Sequence, residues 1–450
     1  MSAAENDSHN AKQSTGHPRA FWFIFWGEFA ERCSYYGMRA ILALYLTEAL
    51  HFSARDAVPI YSAFKMAVYF LPLLGGWLAD RYIGKYWAIV GFSVPYVLGH
   101  FILGIENTTA LFIALSLLAL GSGVTKPNIS TLMGMTYDQQ RPAQDQLLSA
   151  AFRWFYFSIN IGALISQFLL PMIRDRFSYQ AAFQFPAWLM VGALIIFALG
   201  KPYYAVEHPG PAPADPEHRR QRWQTLTTLF GVFGLVVFFW MAYEHNDSLW
   251  VYFCRDYVDR RVPFWGQEVA PDQLQFINAL CVLIFVPTLT WFFASFDPNN
   301  RFFTAANRML IGFAVTATAT GIMTLAGFLA QSSGAKISVV WIVAAYVALT
   351  LAEVLVYATG LELSYTAAPK SMKGFVTACF LVTNMLGNFL NMGFTRLYIG
   401  SPNDPAADQG PLSPGPFFGL TTLIVIAATV AFYFVSRRLV ISKANFGAVE

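Results

Sequence analysis

The clearest shortage in this 450-residue chain is charge. Only 12% of its residues are charged, whereas 56% are hydrophobic and 17% are aromatic. A soluble domain usually carries about 25% charged residues, so this chain cannot cover a water-exposed surface. Apolar stretches as long as the roughly 20 residues that a spanning helix needs recur from Phe21 to Val440. The composition excludes soluble, disordered and fibrous proteins and predicts an all-α polytopic membrane protein.

Other shortages exclude further classes of protein. The four cysteines lie far apart, and none belongs to a CxxC or Cys/His metal spacing, so we predict neither a disulfide framework nor a metal site. No combination of nucleophile and base stands out, and we expect neither an enzyme nor a cofactor. The net charge of +3 is too small to indicate a nucleic-acid partner. The first twenty residues lack the apolar core of a signal peptide, so the first helix should be retained.

The hydrophobic segments predict twelve spanning helices in two groups of six. A proline-rich segment, Lys201–Arg222, separates the groups and is predicted to be a linker. The helices are expected at 20–50, 56–81, 85–105, 109–136, 144–173, 179–200, 223–253, 272–296, 303–330, 336–367, 371–399 and 416–439. The predicted units are a tail at 1–19, a bundle at 20–200, the linker at 201–222, a bundle at 223–439 and a tail at 440–450.

The distribution of lysine and arginine sets the orientation of these helices. An even number of spans places both termini on one side, and the connections on that side carry more than twice as many basic residues as the others. Because cytoplasmic loops are enriched in Lys and Arg, we expect both termini in the cytoplasm. The expected location is the cytoplasmic (inner) membrane, with the lipid bilayer as a partner.

Two six-helix bundles joined by a cytoplasmic linker describe the major facilitator fold, in which substrate binds at the midplane between the bundles. The loop after predicted helix 2, Gly75–Lys85, supports this prediction because it matches the G-x-L-A-D-R-x-x-G-[RK] signature of that superfamily. Within the loop, Asp80 and Arg81 are expected to form an ion pair at the cytoplasmic face.

Ionisable residues inside the predicted helices mark the functional site, because each costs about 2.5–3.5 kcal/mol near the bilayer centre. Their spacing in predicted helix 1 places most of them on one stripe, which must face the bundle interior. Two carboxylates one turn apart repel each other, which favours a site that holds or releases one proton. The alternative is a static ion-pair network between helices. The cluster comprises Glu28, Glu31, Arg32, Tyr35, Tyr36 and Arg39.

Isolated charges in other predicted helices suggest the substrate. Lys126 in helix 4 needs a carboxylate partner, and Glu353 in helix 10 has only Glu244 in helix 7 as an anionic rival at similar depth. Lys126 and Glu353 would form a dipolar pocket suited to a zwitterion, unless Glu353 pairs structurally with a neighbouring helix. Lys65 is expected to extend toward the outer end of helix 2, and we assign it no role. We also assign no role to His245, for which a proton relay and a structural histidine are the two alternatives.

Three segments resemble the proton-dependent oligopeptide transporter (POT or PTR) family of the major facilitators. Glu28–Gly37 is similar to the ExxERFxYYG motif of helix 1, although Cys33 replaces its phenylalanine. Phe155–Ile165 resembles the FYxxINxG signature of helix 5, and Gly123–Ser130 carries the family lysine at Lys126. Glu353 stands where the family has its helix 10 glutamate. The resemblance covers nearly the whole chain.

The resemblance implies a role for each matching residue. Proton coupling would involve Glu28, Glu31, Arg32, Lys126 and Glu244, the last in a gate of helix 7. The peptide carboxylate would bind Lys126 with Arg39, and the peptide amino group would bind Glu353, Asn160 and Asn278. The pockets for peptide side chains would be lined by Tyr35, Tyr36, Tyr69, Tyr156 and Trp240. Arg55 with Asp256 would form an outer pair.

We therefore expect a monomeric symporter that imports di- and tripeptides with protons by alternating access. The proton is the expected coupling ion. One alternative is a transporter of the same fold that carries another small anion, such as nitrate or a carboxylate. Another alternative is a peptide sensor that binds its ligand without transporting it.

Overall fold

A computed structural model describes residues 16–142, 144–207, 219–262, 266–298, 301–366, 373–398 and 410–446. Nearly all of these residues are helical. The α-helices of this part of the chain are α1 Arg19–Leu44, α2 Ala54–Leu78, α3 Lys85–Leu103, α4 Thr108–Gln140, α5 Asp145–Arg176, α6 Tyr179–Leu199, α7 Arg219–Tyr243, α8 Leu249–Tyr257, α9 Phe276–Phe296, α10 Ala305–Ser333, α11 Val340–Glu353, α12 Thr359–Thr366, α13 Lys373–Phe394 and α14 Pro414–Phe446. One short parallel pair joins β1 Val258–Asp259 to β2 Ile337–Ser338.

The predicted twelve-helix arrangement is confirmed. Nine helical segments among the described residues are long and apolar enough to cross a membrane, and they include α2 to α6, α9 to α11 and α14. The helices α1, α7 and α13 bring the number of spanning helices to twelve. Helix α1 is not among the nine apolar segments, and it carries five charged residues. Residues 1–15 of the predicted tail and residues 208–218 of the predicted linker lie outside the described residues.

The helices form two bundles. In the N-terminal bundle, α1 packs against α5 and α6, while α4 packs against α2 and α3. In the C-terminal bundle, α10 packs against α11 and α14, and α7 packs against α13 and α14. The bundles meet where α2 contacts α13 and where α5 contacts α9. This arrangement places α1, α2, α4 and α5 of one bundle opposite α7, α9 and α11 of the other.

Two of the predicted helices are interrupted, which the hydropathy pattern did not show. Predicted helix 7 divides into α7 and α8 at a 3-10 turn, Glu244–Asp247, where Asn246 bonds the Tyr243 carbonyl. Asn and Asp side chains compete with helical hydrogen bonds in this way. The hydroxyl of Tyr346 donates to the Asn246 carbonyl at 2.7 Å, so the interrupted backbone is satisfied by protein. A π turn, Val354–Ala358, likewise separates α11 from α12.

The bundles are closed against each other on one side. We call the side of the α1–α2 turn the outer side, following the predicted orientation. There the Tyr252 hydroxyl donates to the Ala43 carbonyl at 2.8 Å, and Asn391 donates to Ser62 at 3.2 Å. Arg174 also pairs with Asp272 across the bundles. Between described residues, every polar contact that joins the bundles lies at the midplane or on this side.

Close packing of α3 on α4 generates the first prediction. A Cβ atom at Gly121 would lie 2.3 Å from the Cβ atom of Tyr96 in α3. Because overpacking of this kind costs about 1–3 kcal/mol, we expect Gly121→Ala to lower the melting temperature of the purified protein by several degrees. Gly134→Ala in the same helix is the control, since nothing lies within 4 Å of its added Cβ atom. Equal melting temperatures for both variants would contradict the packing.

Candidate functional site

A central cavity of about 500 Å³ lies between the two bundles. Its volume is typical of a small-molecule site, and its wall mixes aromatic rings with a few charged groups. Most of the residues that the sequence predicts for the site line this cavity: Glu28, Arg32, Tyr36, Arg39, Tyr69, Lys126, Tyr156, Asn160, Trp240, Asn278 and Glu353. The two bundles therefore meet around one continuous polar and aromatic surface.

One predicted pocket residue lies elsewhere. Tyr35 is 3% exposed and packs in the hydrophobic core, with its ring edge-on to that of Tyr36. Successive residues of a helix point about 100° apart, so Tyr36 can face the cavity while Tyr35 lies behind it. The prediction that Tyr35 lines a pocket for peptide side chains is wrong for this conformation.

The acidic cluster of α1 is arranged around Arg32. The Arg32 Nε atom lies 2.8 Å from Glu28 Oε1 and 2.5 Å from Glu31 Oε2. Glu31 also accepts a hydrogen bond from the Tyr96 hydroxyl at 3.0 Å, which ties it to α3. Glu28 lines the cavity, whereas Glu31 is fully buried and is not part of the wall. The two carboxylates therefore differ in access to the cavity although they share one arginine.

Lys126 has a different environment from the one predicted. Its ammonium lies 5.3 Å from the centre of the Tyr69 ring, and no carboxylate of the described residues pairs with it. The sequence predicts a carboxylate partner for Lys126, and the glutamates of α1 are the nearest candidates. That expectation is wrong here because Arg32, on the same helix as the glutamates, holds both of them. Lys126 thus presents an unneutralised charge to the cavity.

Glu353 supplies the opposite charge from the C-terminal bundle. It ends α11, and its Oε2 atom accepts a hydrogen bond from Asn278 of α9 at 2.7 Å. Asn278 also contacts Thr350 at 3.1 Å. The neighbouring helix therefore provides a neutral amide, and within the described residues Glu353 forms no salt bridge. An amide orients the carboxylate without cancelling its charge. Lys126 and Glu353, on opposite bundles, are thus the charged groups of the cavity wall for which the described residues supply no ionic partner.

A cluster of four buried charges closes the outer side of the cavity, and we call it the outer charge cluster: Arg39, Lys65, Glu244 and Asp247. Lys65 pairs with Glu244 and lies 2.5 Å from Asp247, while Arg39 lies 3.3 Å from Asp247. Both cations belong to the N-terminal bundle, and both carboxylates lie in the 3-10 turn between α7 and α8. Asn384 of α13 also donates to Glu244 at 3.2 Å. The cluster carries no net charge.

This cluster corrects the expectation for Lys65 and adds a residue that the sequence analysis missed. Lys65 does not extend to the outer surface, since its side chain is 1% exposed and fixed between two carboxylates. Asp247 was not predicted as a site residue. The sequence Glu244-His-Asn-Asp247 could have identified it, because four consecutive polar residues are unusual in the middle of an apolar helix. The cavity wall includes Lys65 and Arg39 but neither Glu244 nor Asp247.

One of the predicted peripheral pairs is also rearranged. Asp256 pairs with its neighbour Arg255 at 2.9 Å, and the predicted pair with Arg55 stays a prediction. At the cytoplasmic face, Asp80 pairs with Lys85, whereas Arg81 lies over the Tyr82 ring. A π turn, Ala79–Ile83, joins α2 to the loop that precedes α3 and presents Asp80 to the start of that helix. Asp80 therefore pairs with Lys85, and the prediction that its partner is Arg81 is wrong.

His245 lies beside the outer charge cluster. It is fully buried, and its ring stacks on Phe394 with a centroid distance of 5.9 Å and an interplanar angle of 10°. Phe417 is 5.4 Å away. This apolar packing favours the structural alternative for His245 over a proton relay. Among the described residues, no group of three or more His, Cys, Asp or Glu side chains could hold a metal ion.

The Lys65 pairs generate the second prediction. In Lys65→Met, Glu244 and Asp247 lose a shared cation and leave uncompensated charge in the protein interior. Since breaking a buried ion pair in this way costs about 3–5 kcal/mol, we expect a marked loss of thermal stability. Adding Glu244→Gln removes the excess negative charge and should restore part of that loss. Melting temperatures of the purified variants test this, and no recovery in the double variant would contradict the arrangement.

Comparisons with known proteins agree on one family. The family model described as the POT family matches residues 86–219 and 215–409. Human solute carrier family 15 member 2 is 32% identical over 324 residues, which make up 61% of this chain and 44% of that protein. Peptide transporter family 1 of Drosophila melanogaster is 31% identical over 319 residues, 60% of this chain and 42% of that protein. The chain thus matches less than half the length of these curated relatives.

A solved structure extends the similarity to the fold. The crystal structure of the POT family transporter PepTSo superposes with a TM-score of 0.80 and 27% sequence identity. The match covers 94% of this chain and 98% of that one. The crystal structure of an auto-inhibited POT family peptide transporter has a TM-score of 0.79 and 25% identity, covering 94% of this chain and 97% of that one.

Proposed function

The chain belongs to the POT family, and we propose that it is a proton-coupled symporter that imports di- and tripeptides by alternating access. The observation that carries this proposal is the presence of Lys126 and Glu353 in one cavity, each without an ionic partner among the described residues. A dipeptide is a zwitterion, so its carboxylate would bind Lys126 and its amino group would bind Glu353. Asn160 and Asn278 would orient the amino end.

Aromatic walls support a broad range of peptides. Tyr36, Tyr69, Tyr156 and Trp240 line the cavity between the two charged groups. Such rings offer large apolar contact areas with few directional hydrogen bonds. The fixed charges would recognise the peptide backbone ends, which all substrates share, while the rings would accept different side chains.

The arrangement in α1 supports Glu28 as the carrier of the coupled proton. Glu28 lines the cavity and can exchange a proton with its water, whereas Glu31 is enclosed between Arg32 and Tyr96. When Glu28 is protonated it no longer needs Arg32 as a counter-charge. A proton that moves inward gains about 2.3 kcal/mol per 100 mV of membrane potential, which can drive peptide accumulation.

The outer charge cluster would act as the outer gate. Because its cations and carboxylates lie in different bundles, outward opening must separate them. Each carboxylate left behind would need a proton, water or a new partner. Glu244 would thus take part in coupling as a gate residue, with Lys65 as its partner.

The remaining features of the proposal concern location, oligomeric state and the coupling ion. We place the protein in the cytoplasmic (inner) membrane as a multi-pass monomer with both termini in the cytoplasm. The proton is the coupling ion, and the transport cycle needs no cofactor. A carrier of nitrate or a simple carboxylate is disfavoured because Glu353 would repel such an anion from the cavity.

Uptake into proteoliposomes tests the function directly. We expect radiolabelled dialanine to accumulate above equilibrium when an inward proton gradient and membrane potential are imposed, and a protonophore should abolish the accumulation. Binding without uptake would favour the peptide sensor. Uptake of nitrate or acetate in place of dialanine would favour the anion carrier.

Replacement of Lys126 gives the third prediction. Lys126→Ala removes the cation that would bind the peptide carboxylate, and loss of one partner of a buried charge pair costs about 2–5 kcal/mol. We therefore expect proton-driven dialanine uptake to fall at least tenfold, or about 1.4 kcal/mol. Lys336→Ala, at an exposed lysine, is the control and should transport normally. Intact driven uptake in Lys126→Ala would overturn the proposed binding mode.

The two glutamates of α1 give the fourth prediction. We expect Glu28→Gln to abolish proton-driven accumulation but to retain exchange of external for internal dialanine, since exchange needs no net proton movement. Glu31→Gln should mainly lower the melting temperature, because its carboxylate bonds Tyr96 and Arg32 in the bundle interior. The reverse pattern, with coupling lost only in Glu31→Gln, would assign the proton to Glu31.

A further inference from the structure

A second cavity lies where the two bundles meet, and we call it the lateral pocket. Its volume is about 380 Å³, and it shares no lining residue with the central cavity. The residues that line it fall between Pro59 and Ala67 in α2, between Phe112 and Ala119 in α4, and at Met392 in α13. These positions belong to the outer halves of the three helices. The lateral pocket is therefore a separate site within the membrane-spanning region.

The lateral pocket is apolar. Among the described residues that line it, none is charged, and Ser116 alone has a polar side chain. The Ser116 hydroxyl donates to the carbonyl of Phe112, one turn earlier in α4, at 2.8 Å. This hydroxyl therefore needs no ligand. Because an apolar cavity offers water no hydrogen-bond partners and stays dry, the chemistry of the wall favours an apolar occupant.

The mouth of the lateral pocket faces the bilayer. Helices α2 and α4 are both long and apolar enough to span a membrane, so the exposed surface of their middle turns contacts lipid. Phe112 at the mouth is 50% exposed, and Ser116 is exposed as well. In contrast, Phe64 and Leu115 of the wall are only 4% and 6% exposed. Lipid chains thus reach the mouth, but they touch these two wall residues only by entering the pocket.

The shape of the lateral pocket suits an extended chain. Pro59 and Ala67 are separated by just over two helical turns, or about 12 Å along the axis of α2. The lining part of α4 is nearly as long, so the pocket is a slot that runs along the helices. Spanning helices tilt only moderately from the bilayer normal, and lipid chains follow the same direction. The small side chains of Ala63 and Ala119 leave the slot open between the helices.

We propose that the lateral pocket binds one acyl chain of a phospholipid from the surrounding bilayer. An empty pocket would forfeit the dispersion contacts of its wall, and the acyl chain is the apolar group that the bilayer supplies at this depth. The chain would lie beside the hydrogen bond from Asn391 to Ser62, which joins α13 to α2. It would thus continue the contact between the bundles toward the lipid. This inference does not depend on which substrate the central cavity binds.

Photolabelling tests the proposal directly. The full chain is reconstituted in vesicles of dioleoylphosphatidylcholine with a small share of a phosphatidylcholine that carries a diazirine on its acyl chain. Labelled residues are then mapped by peptide mass spectrometry. We expect label on Phe64 and Leu115, because a chain inside the pocket reaches both. Leu423 of α14, which is 64% exposed, reports contact with the bilayer in general. Label on Leu423 but on neither wall residue would overturn the proposal.

The variant Ala63→Leu fills the lateral pocket with a protein side chain. It should exclude the acyl chain and lower the label on Phe64 and Leu115 at least tenfold relative to the label on Leu423. Ala427→Leu is the matched control, because Ala427 is an exposed alanine of the spanning helix α14 and does not line the pocket. The control should leave the label on both wall residues unchanged. Equal labelling of the wall in the two variants would contradict an acyl chain in the pocket.

Thermal stability gives a second measurement that does not depend on the label. Adding dioleoylphosphatidylcholine to the detergent-purified protein should raise its melting temperature, since a ligand of the folded state stabilises it. The rise should be smaller in Ala63→Leu than in Ala427→Leu, and equal rises would overturn the proposal. Should Ala63→Leu fail to fold, Ser116→Leu blocks the pocket from α4, and the same comparisons apply.

A free fatty acid that carries the same diazirine separates two sources of an acyl chain. The described residues of the wall include no cation that could bind its carboxylate. We therefore expect the phosphatidylcholine to label Phe64 and Leu115 at least as strongly as the fatty acid does. Label on these residues from the fatty acid alone would overturn the assignment of the pocket to a phospholipid.

Discussion

The cost of a charge in the membrane interior governs this structure. Arg39, Lys65, Glu244 and Asp247 are buried, and none can be solvated by lipid, so each must find an opposite charge. The cations come from one bundle and the carboxylates from the other. Pairing them therefore brings the bundles together on the outer side. In the proposed transport cycle, the same electrostatic cost must be met again, by protons or substrate, when the bundles separate.

The charges of Lys126 and Glu353 in the cavity also need opposite charges, but the described residues do not supply them. Lys126 has an aromatic ring beside it, and Glu353 has the neutral amide of Asn278. Neither arrangement cancels the charge, so a molecule that brings both a carboxylate and an ammonium would complete them. In the proposed function, the ionisable groups thus divide into those that close the gate and those that bind the ligand. Arg39 lies between the two sets, because it contacts Asp247 and also lines the cavity.

The sequence alone predicted the fold and most of the cavity wall. Hydropathy and charge placement were sufficient for the twelve helices, and ionisable residues in apolar segments identified Glu28, Lys126 and Glu353. It did not predict which charges pair, because pairing depends on the depth and rotation of helices that are distant in sequence. Lys65 was expected to extend outward, yet the break after α7 places two carboxylates beside it. That break depends on side-chain competition with the helix, which hydropathy does not report.

Position relative to the cavity, and not residue type, separates the two glutamates of α1. Both contact Arg32, and both are almost fully buried. Glu31 is additionally bonded to Tyr96, whose approach to α4 depends on the absence of a side chain at Gly121. The packing of α3 on α4 therefore keeps Glu31 out of the cavity wall and leaves Glu28 as the α1 carboxylate that lines it. The proposed proton-coupling site is therefore a consequence of helix packing as much as of its acidic residues.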